Sequence, residues 1–195
     1  MASAQGPSLR NSSSSATVHD PHHLDYCVAC ELMVENQTRW QLQDPVAVNV
    51  RGYIKIPPSA IQPGSKKAMI THKNGGTTTG TCGTVVWKVS VAGSEFYILV
   101  MWSVPFNQNH YSNWLAIGLT QDETVAQSSN LFNKMYYNDF EWFVRQEYYR
   151  DSRTIRITNS YVELEGIMGT NHKPEVKIVV KPKEAKDYAP GTKQF

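Results

Sequence analysis

The stretch TVVWKVSVAGSEFYILVMWSV, residues 84–104, contains two apolar runs separated by a short turn, Ala92-Gly93-Ser94. In the first run, bulky apolar residues occupy every second position: Val85, Trp87, Val89 and Val91. That period of two is typical of a strand with one buried face. The second run, FYILVMW at 96–102, has the length of a fully buried strand. The stretch therefore predicts two consecutive strands in a mainly β protein.

The same signals recur on both sides of this stretch, separated by turns rich in Pro, Gly and Asn. We predict strands at 26–36, 46–56, 66–72, 84–91, 95–104, 113–120, 153–158, 161–168 and 176–180. Residues 122–137 begin with two acidic side chains and then repeat apolar residues at helical spacing, which predicts one helix. Residues 140–149 fit either a short helix or a strand. So many short strands with so little helix predict a two-sheet β-sandwich flanked by one or two short α-helices.

Length and composition limit the remaining possibilities. A chain of 195 residues with 41% hydrophobic residues builds one core, so we predict a single domain at 24–182. Residues 1–23 are rich in Ser, Gly and Pro and are predicted to be a flexible tail, and residues 183–195 a second tail. A net charge of +2 does not favour nucleic acid as a partner. The N-terminus lacks the apolar segment of a secretory signal, which leaves the localisation open.

The three cysteines do not form a recognisable redox or zinc motif. Cys27 and Cys30 make a C-x-x-C on a predicted strand, and no second pair completes a metal site. His19, His22 and His23 provide nearby nitrogen ligands, so a metal bound with the two thiols is the alternative to plain strand cysteines. We expect no metal and no cofactor. Ser103 with His110, or His72 with Cys82, are conceivable catalytic pairs, but without the catalytic sequence motifs we expect no enzyme.

The loop SVPFNQNHYSNW, residues 103–114, concentrates aromatic rings where the chain turns. The predicted helix ends on further rings, Phe132, Tyr136 and Tyr137. Tyr and Trp have an apolar body and a polar tip, which suits the boundary between water and lipid. Ring faces attract a quaternary ammonium, and hydroxyls donate to a phosphate. These rings therefore favour a phosphocholine headgroup as ligand, unless they fill the core or cover strand ends.

The stretches FYILVMWSVPFNQNHYSNWLAIGL (96–119) and LFNKMYYN (131–138) resemble the actinoporin family of pore-forming cytolysins. The loop is similar to the family pattern at Ser103, Val104, Pro105, Phe106, Asn109, Tyr111, Ser112, Asn113 and Trp114. Weaker similarity extends over residues 24–182. The resemblance implies a β-sandwich flanked by helices, sphingomyelin or phosphocholine as the bound lipid, and an oligomeric pore in the target membrane.

Carried over by position, the resemblance implies a headgroup pocket lined by Ser103, Pro105, Tyr111, Tyr136 and Tyr137, with Phe132 and Cys82 in its wall. Phe132 replaces a tyrosine of the family, and Cys82 replaces a small apolar residue. The resemblance also implies that Phe106, His110 and Trp114 enter the membrane interface. His110 and Leu115 stand where the family usually has tryptophan, which reduces the aromatic surface offered to lipid.

The N-terminus departs from the family pattern. An inserting segment needs an apolar face at helical spacing, whereas Gly6, Pro7, Pro21 and the serines at 12–15 interrupt any helix there. The sequence therefore leaves two functions open. One is a membrane-binding, oligomeric pore former that recognises a choline phospholipid. The other is a lipid- or glycan-binding module, similar to a lectin, that does not perforate membranes.

Overall fold

A computed structural model describes residues 26–192, which form a β-sandwich with two short helices on one side. The elements in chain order are β1 (Ala29–Asn36), β2 (Gln43–Arg51), β3 (Tyr53–Ile56), β4 (Lys66–His72), β5 (Thr81–Val91), β6 (Ser94–Val104), β7 (Asn113–Thr120), α1 (Glu123–Ala126), α2 (Leu131–Tyr137), β8 (Phe143–Tyr148), β9 (Ile155–Thr158), β10 (Val162–Met168) and β11 (Glu175–Pro182). The predicted fold class is confirmed.

The strands form two sheets whose inner faces enclose the core. One sheet has the order β3-β4-β1-β11-β10-β9, and the other has the order β2-β5-β6-β7-β8. All pairings are antiparallel except β1 with β11, which is parallel. In β5 and β6, every second side chain faces the core. Trp87 and Trp102 are among these side chains and are almost fully buried. The stretch at 84–104 is therefore the centre of the five-stranded sheet.

The predicted strand at 46–56 is two strands in the structure. β2 ends at Arg51 and belongs to the five-stranded sheet, whereas β3 begins at Tyr53 and belongs to the six-stranded sheet. The intervening Gly52 has a φ of 87°, which favours glycine. A Cβ at Gly52 would also overlap the carbonyl oxygen of His72. The chain crosses between the sheets at this residue, and apolar alternation alone does not show such a crossing.

The prediction of one continuous helix at 122–137 is wrong, because the chain forms two helices separated by residues 127–130. Asp122 caps α1 by accepting a hydrogen bond from the Thr124 N–H at 2.8 Å. Between the helices, the Leu131 N–H donates to the Ser128 carbonyl at 3.0 Å, closing a turn. Ser and Asn compete with helical hydrogen bonding, which explains the break. The ambiguous segment at 140–149 contains strand β8.

The C-terminal segment contacts the sandwich at Asp187 and Ala189. Its backbone bonds to the turn after β1, since the Arg39 N–H donates to Asp187 at 2.8 Å and the Ala189 N–H donates to Gln37 at 2.9 Å. Asp187 and Ala189 are buried. The predicted tail at 1–23 lies outside the described residues. In the part of the chain that is described, no helix has the length and apolar character needed to cross a membrane.

Candidate functional site

Five side chains form one row across the outer face of the five-stranded sheet. Cys82 pairs with Arg51 on one side and with Ser103 on the other, Ser103 pairs with Trp114, and Trp114 pairs with Glu147. Directly paired residues of an antiparallel sheet project to the same face. This row is here called the floor row and consists of Arg51, Cys82, Ser103, Trp114 and Glu147. The helices pack on the same outer face of the sheet, so the floor row lies beside them.

Helix α2 brings its aromatic residues toward the floor row. Leu131 and Met135 are buried against the sheet, which fixes the helix on its apolar face. Phe132 stacks on Tyr136 with the ring centroids 5.4 Å apart, and Tyr137 meets Tyr136 edge-on at 4.8 Å. Trp114 also meets Tyr136 edge-on, at 5.9 Å. These rings, Trp114, Phe132, Tyr136 and Tyr137, form the aromatic cluster.

Electrostatics distinguish the buried part of the site from its rim. Burial raises the pKa of the Tyr136 hydroxyl, and the neighbouring Tyr137 and Cys82 raise it further, so this hydroxyl stays protonated as a donor. Burial also raises the pKa of the Cys82 thiol to about 11, although Arg51 opposes the shift. Tyr137 is 71% exposed and forms the outer side of the aromatic cluster. The site thus offers neutral donors next to ring faces.

Arg145 on β8 fastens the end of α2 to the aromatic cluster. Its guanidinium donates to the carbonyl oxygens of Met135 at 3.2 Å, Tyr136 and Asn138 at 3.3 Å. These carbonyls lie at the helix C-terminus, where hydrogen-bond partners are lacking and a positive charge is favourable. The same guanidinium lies 5.3 Å from the centroid of the Trp114 ring. Arg145 therefore sets the position of Tyr136 relative to Trp114.

The loop after β6 is held at both of its ends. Near Pro105, the chain passes so close to Gly80 that a Cβ there would overlap the Val104 carbonyl oxygen. At the other end, the fully buried Asn113 side chain donates to the carbonyl oxygens of Gly169 and Asn171, each at 2.9 Å. Gln108 in turn donates to the Asn113 side-chain oxygen at 3.1 Å. These contacts anchor a loop whose tip remains in solvent.

The structure separates the predicted interface residues by exposure. His110 is exposed and Tyr111 is 65% exposed, so both lie at the loop tip. Phe106 is half-buried: the Lys73 ammonium lies 5.7 Å from its ring centroid, and its carbonyl bonds to a His172 ring nitrogen at 3.0 Å. Trp114 is also half-buried and belongs to the aromatic cluster. Five of the predicted pocket residues lie together in the floor row and the aromatic cluster: Cys82, Ser103, Phe132, Tyr136 and Tyr137. The other two, Pro105 and Tyr111, belong to the loop.

Three charged residues of the site were missed by the sequence analysis: Arg51, Arg145 and Glu147. They enter the site through strand register, which single-sequence patterns do not specify. For Arg51, the sequence offers one indication of a special position, because this residue immediately precedes a turn glycine. Among the described residues, no cluster of three or more His, Cys, Asp or Glu side chains is arranged to hold a metal ion. His19, His22 and His23 lie outside the described residues.

Comparison with known proteins provides a class for this architecture. A family profile described as sea anemone cytotoxic protein matches residues 53–182. Tereporin-Ca1 of Terebra anilis is 38% identical over 165 residues, which cover 80% of this chain and 86% of that protein. Conoporin-Cn1 of Conus consors is 31% identical over 170 residues, covering 85% and 68% of the two chains. Echotoxin-2 of Monoplex parthenopeus is 33% identical over 191 residues, covering 94% and 66%.

A solved structure supports the fold independently. The crystal structure of the lipid binding protein Nakanori superposes with a TM-score of 0.62, covering 79% of this chain and 71% of that chain, at 15% identity. At that identity the likeness concerns the fold. The sandwich and the sequence relatives together define a class of pore-forming cytolysins, which are not enzymes. The chain belongs to the sea anemone cytotoxic protein family, which confirms the resemblance to the actinoporins.

Proposed function

We propose that this protein binds the phosphocholine headgroup of sphingomyelin or a related choline phospholipid and assembles into a membrane pore. The observation that carries the proposal is the aromatic cluster beside the floor row. Tyr136 contacts three other rings, and Trp114 connects the cluster to Ser103 through the strand pairing. Rings and hydroxyls therefore lie on one surface at the scale of a single headgroup.

Each end of a phosphocholine has a chemical partner in this site. The quaternary ammonium is attracted to the faces of tyrosine rings, more strongly when water is excluded, and Tyr136 is partly buried. The phosphate accepts hydrogen bonds from the hydroxyls of Ser103 and Tyr136, both protonated donors. Arg51, beside Cys82 in the floor row, adds a positive charge for the phosphate. Glu147, at the other end of the floor row, favours the ammonium.

The exposed aromatic residues support binding at a membrane surface. Tyr111 and Tyr137 are the most exposed large side chains near the site, at 65% and 71%. Exposed tyrosine suits the headgroup region because the ring contacts lipid while the hydroxyl stays hydrated. His110 and Phe106 belong to the same loop. The proposal thus places the loop tip and the end of α2 against the bilayer.

The decisive experiment compares binding and leakage in the same vesicles. Purified protein is mixed with dye-loaded phosphatidylglycerol vesicles with or without sphingomyelin, and both released dye and pelleted protein are measured. We expect sphingomyelin to be required for both. Tyr136→Leu should weaken vesicle binding by about 2- to 30-fold, the equivalent of one ring contact with an ammonium. Tyr161→Phe is the control and should bind normally, because the Tyr161 ring stacks on Phe96 of the core between the two sheets.

The outcomes separate the two functions that the sequence leaves open. Leakage that depends on sphingomyelin supports the pore, and unchanged binding by Tyr136→Leu rules out the aromatic cluster as the headgroup site. Binding without leakage supports a lipid-binding module that does not perforate membranes. If the protein neither binds nor releases dye, the headgroup proposal is wrong and glycans become the next ligands to test.

A further inference from the structure

The loop between β4 and β5 begins with a buried lysine that has no acidic partner. Lys73 is 7% exposed, and its ammonium donates to the main-chain carbonyl oxygen of Asn74 at 2.9 Å and lies 5.7 Å from the centroid of the Phe106 ring. Among the residues that the structure describes, no carboxylate forms an ion pair with Lys73. A buried charge is costly unless it is paired. The surroundings of Lys73 therefore favour negative charge at the Asn74 carbonyl oxygen.

Two donors converge on this carbonyl oxygen. Besides the Lys73 ammonium, the Thr77 hydroxyl donates to the Asn74 carbonyl oxygen, also at 2.9 Å. The same peptide group contains the backbone nitrogen of Gly75, and resonance joins this nitrogen to the carbonyl oxygen. When the nitrogen loses its proton, the negative charge is therefore shared with that oxygen. An ammonium and a hydroxyl placed there stabilise a deprotonated, nucleophilic Gly75 nitrogen.

The side-chain amide of Asn74 is an electrophile within reach of that nitrogen. Asn74 is exposed, and its amide group makes no hydrogen bond to any part of the chain that the structure describes. Gly75 and Gly76 are also exposed, and a Cβ at either position would meet nothing within 4 Å, so the backbone is unhindered. By contrast, the side-chain oxygen of Asn159 accepts two backbone N–H groups, each at 2.8 Å.

We propose that Asn74 is a site of spontaneous modification, at which the residue loses its side-chain amide nitrogen and becomes isoaspartate. The Gly75 nitrogen gives up its proton and attacks the side-chain carbon Cγ of Asn74, so a C–N bond forms and ammonia leaves with a proton. Water then opens the resulting cyclic imide by breaking the bond between the former main-chain carbonyl carbon of Asn74 and the Gly75 nitrogen. Overall, one water is consumed and one ammonia is released.

Lys73 and Thr77 determine which product forms. Both donate to the main-chain carbonyl oxygen of Asn74, so they polarise this carbonyl and not the one that comes from the side chain. Attack of water at this carbonyl converts it into a free carboxylate, while the chain continues through the former side chain. The new carboxylate lies where the ammonium and the hydroxyl already donate. The modification thus gives Lys73 an acidic partner beside the Phe106 ring and lowers the net charge of +2 by one unit.

Incubation of the intact protein at neutral pH tests the reaction in the absence of lipid. Released ammonia is measured over time, together with isoaspartate, which is located by methyltransferase labelling and mass spectrometry of the digested protein. We expect isoaspartate at Asn74 and none at Asn159, and we expect it to form at least as fast in the folded protein as in guanidinium chloride. Slower formation in the folded protein would overturn the proposal, because the fold would then protect Asn74.

Variants of the two donors separate their effect from that of the local sequence. In the folded protein, Lys73→Met should slow isoaspartate formation about tenfold, the effect of losing one hydrogen bond from a charged donor. The ratio of isoaspartate to aspartate should also fall to that of the unfolded chain. Thr77→Val should slow the reaction less. Lys66→Met, a change of an exposed lysine on β4, is the matched control and should react like the unmodified protein.

The unfolded variants and a glycine variant complete the test. In guanidinium chloride, Lys73→Met, Thr77→Val and the unmodified protein should react at one rate, since the folded contacts are absent. A Cβ at Gly75 has room, so Gly75→Ala should fold, and its bulk beside the nitrogen should strongly slow the reaction. Melting curves verify that each variant is folded, and the exposed Thr77→Val decides the question if Lys73→Met is not.

Two results would contradict the proposed role of the donors. Equal rates and equal product ratios in folded Lys73→Met and in the unmodified protein would show that the ammonium does not act on the reaction. Absence of both ammonia and isoaspartate from the folded protein would show that Asn74 is not modified at all.

Discussion

At the scale of single residues, Cys82 shows how the sheet changes the chemistry of a side chain. It lies in the floor row between Arg51 and Ser103, 8% exposed. Burial disfavours the thiolate, and the pKa rises from 9.0 to about 11 even with Arg51 beside it. Below pH 9, the thiol is therefore protonated, which makes Cys82 a neutral wall of the site and a poor nucleophile.

The raised pKa of Cys82 predicts a loss of stability in alkaline solution. Between pH 9.0 and about 11 the unfolded chain has released this proton and the folded chain retains it. The free energy of unfolding therefore falls as the pH rises through this window. Urea unfolding at pH 8 and at pH 10.5 measures the fall, which should be smaller in Cys82→Ala by up to about 2 kcal/mol.

The exposed Cys27 provides the matched control for this prediction. Cys27→Ala should show the same fall between the two pH values as the unmodified protein. The buried Cys30, whose pKa is also raised by burial, contributes to the fall in all three proteins and cancels in the comparison. Equal falls in Cys82→Ala and Cys27→Ala would contradict the assignment to Cys82.

At the scale of elements, α2 illustrates how a short helix obtains its position from its surroundings. Seven residues are too few for an isolated helix to be stable in water. Leu131 and Met135 bury one face of α2 on the sheet, and Arg145 binds the carbonyls at its end. The tyrosines of the aromatic cluster are therefore placed by packing and by one arginine of a neighbouring strand.

Replacing Arg145 should loosen the end of α2. In Arg145→Met, the stem of the side chain is kept and the hydrogen bonds to the carbonyls of Met135, Tyr136 and Asn138 are lost. We expect the free energy of unfolding to fall by about 1.5–3 kcal/mol, the range for hydrogen bonds from a charged donor. Choline-phospholipid binding should weaken as well, since Tyr136 and Trp114 lose their common support. Urea unfolding and vesicle pelleting measure the two effects.

Arg153→Met is the comparison for Arg145→Met. Arg153 forms an exposed ion pair with Asp151 at 2.8 Å, and such pairs contribute about 0–1 kcal/mol. This variant should retain both stability and lipid binding. If the two arginine variants lose similar stability, the position of α2 does not depend on Arg145.

At the scale of the whole molecule, the C-terminal segment closes one end of the sandwich. Residues 183–192 were expected to form part of a tail, yet Ala189 is buried and the Asp187 carboxylate lies 3.0 Å from the Arg39 guanidinium. Backbone hydrogen bonds join the same segment to the turn after β1. These contacts involve Asp187 and Ala189, so this part of the segment contributes to the packing of the domain.

Removal of residues 183–195 should therefore lower the melting temperature. The deletion exposes the turn at 37–39 and removes the buried Ala189 and Asp187. For a domain of this size, a loss of about 2 kcal/mol lowers the melting temperature by roughly 4–8 °C. Lys186→Ala, an exposed change in the same segment, should melt like the unmodified protein. A deletion that melts normally would support the interpretation of this segment as a tail.

Most strands were predicted within a few residues because alternation of apolar side chains directly reports a buried face. The exceptions have local causes that the pattern does not contain. Gly52 transfers the chain between sheets, and residues 127–130 interrupt the predicted helix. Through family resemblance, Ser103, Tyr136 and Cys82 were predicted to line one pocket, with Trp114 in the membrane interface beside it. Arg51, Arg145 and Glu147 were not, because charged residues near strand ends look like ordinary surface residues in a single sequence.

The amino-acid sequence by itself determined the β-sandwich class, the strand faces and the aromatic loop, since these depend on the period of apolar residues and on local turn chemistry. Only the tertiary structure decided which strands pair and in what register. Register places Arg51 and Glu147 at opposite ends of the floor row and brings Arg145 under the end of α2. The free energy that selects a strand pairing comes from contacts between residues far apart in the chain, and a local sequence pattern does not specify those contacts.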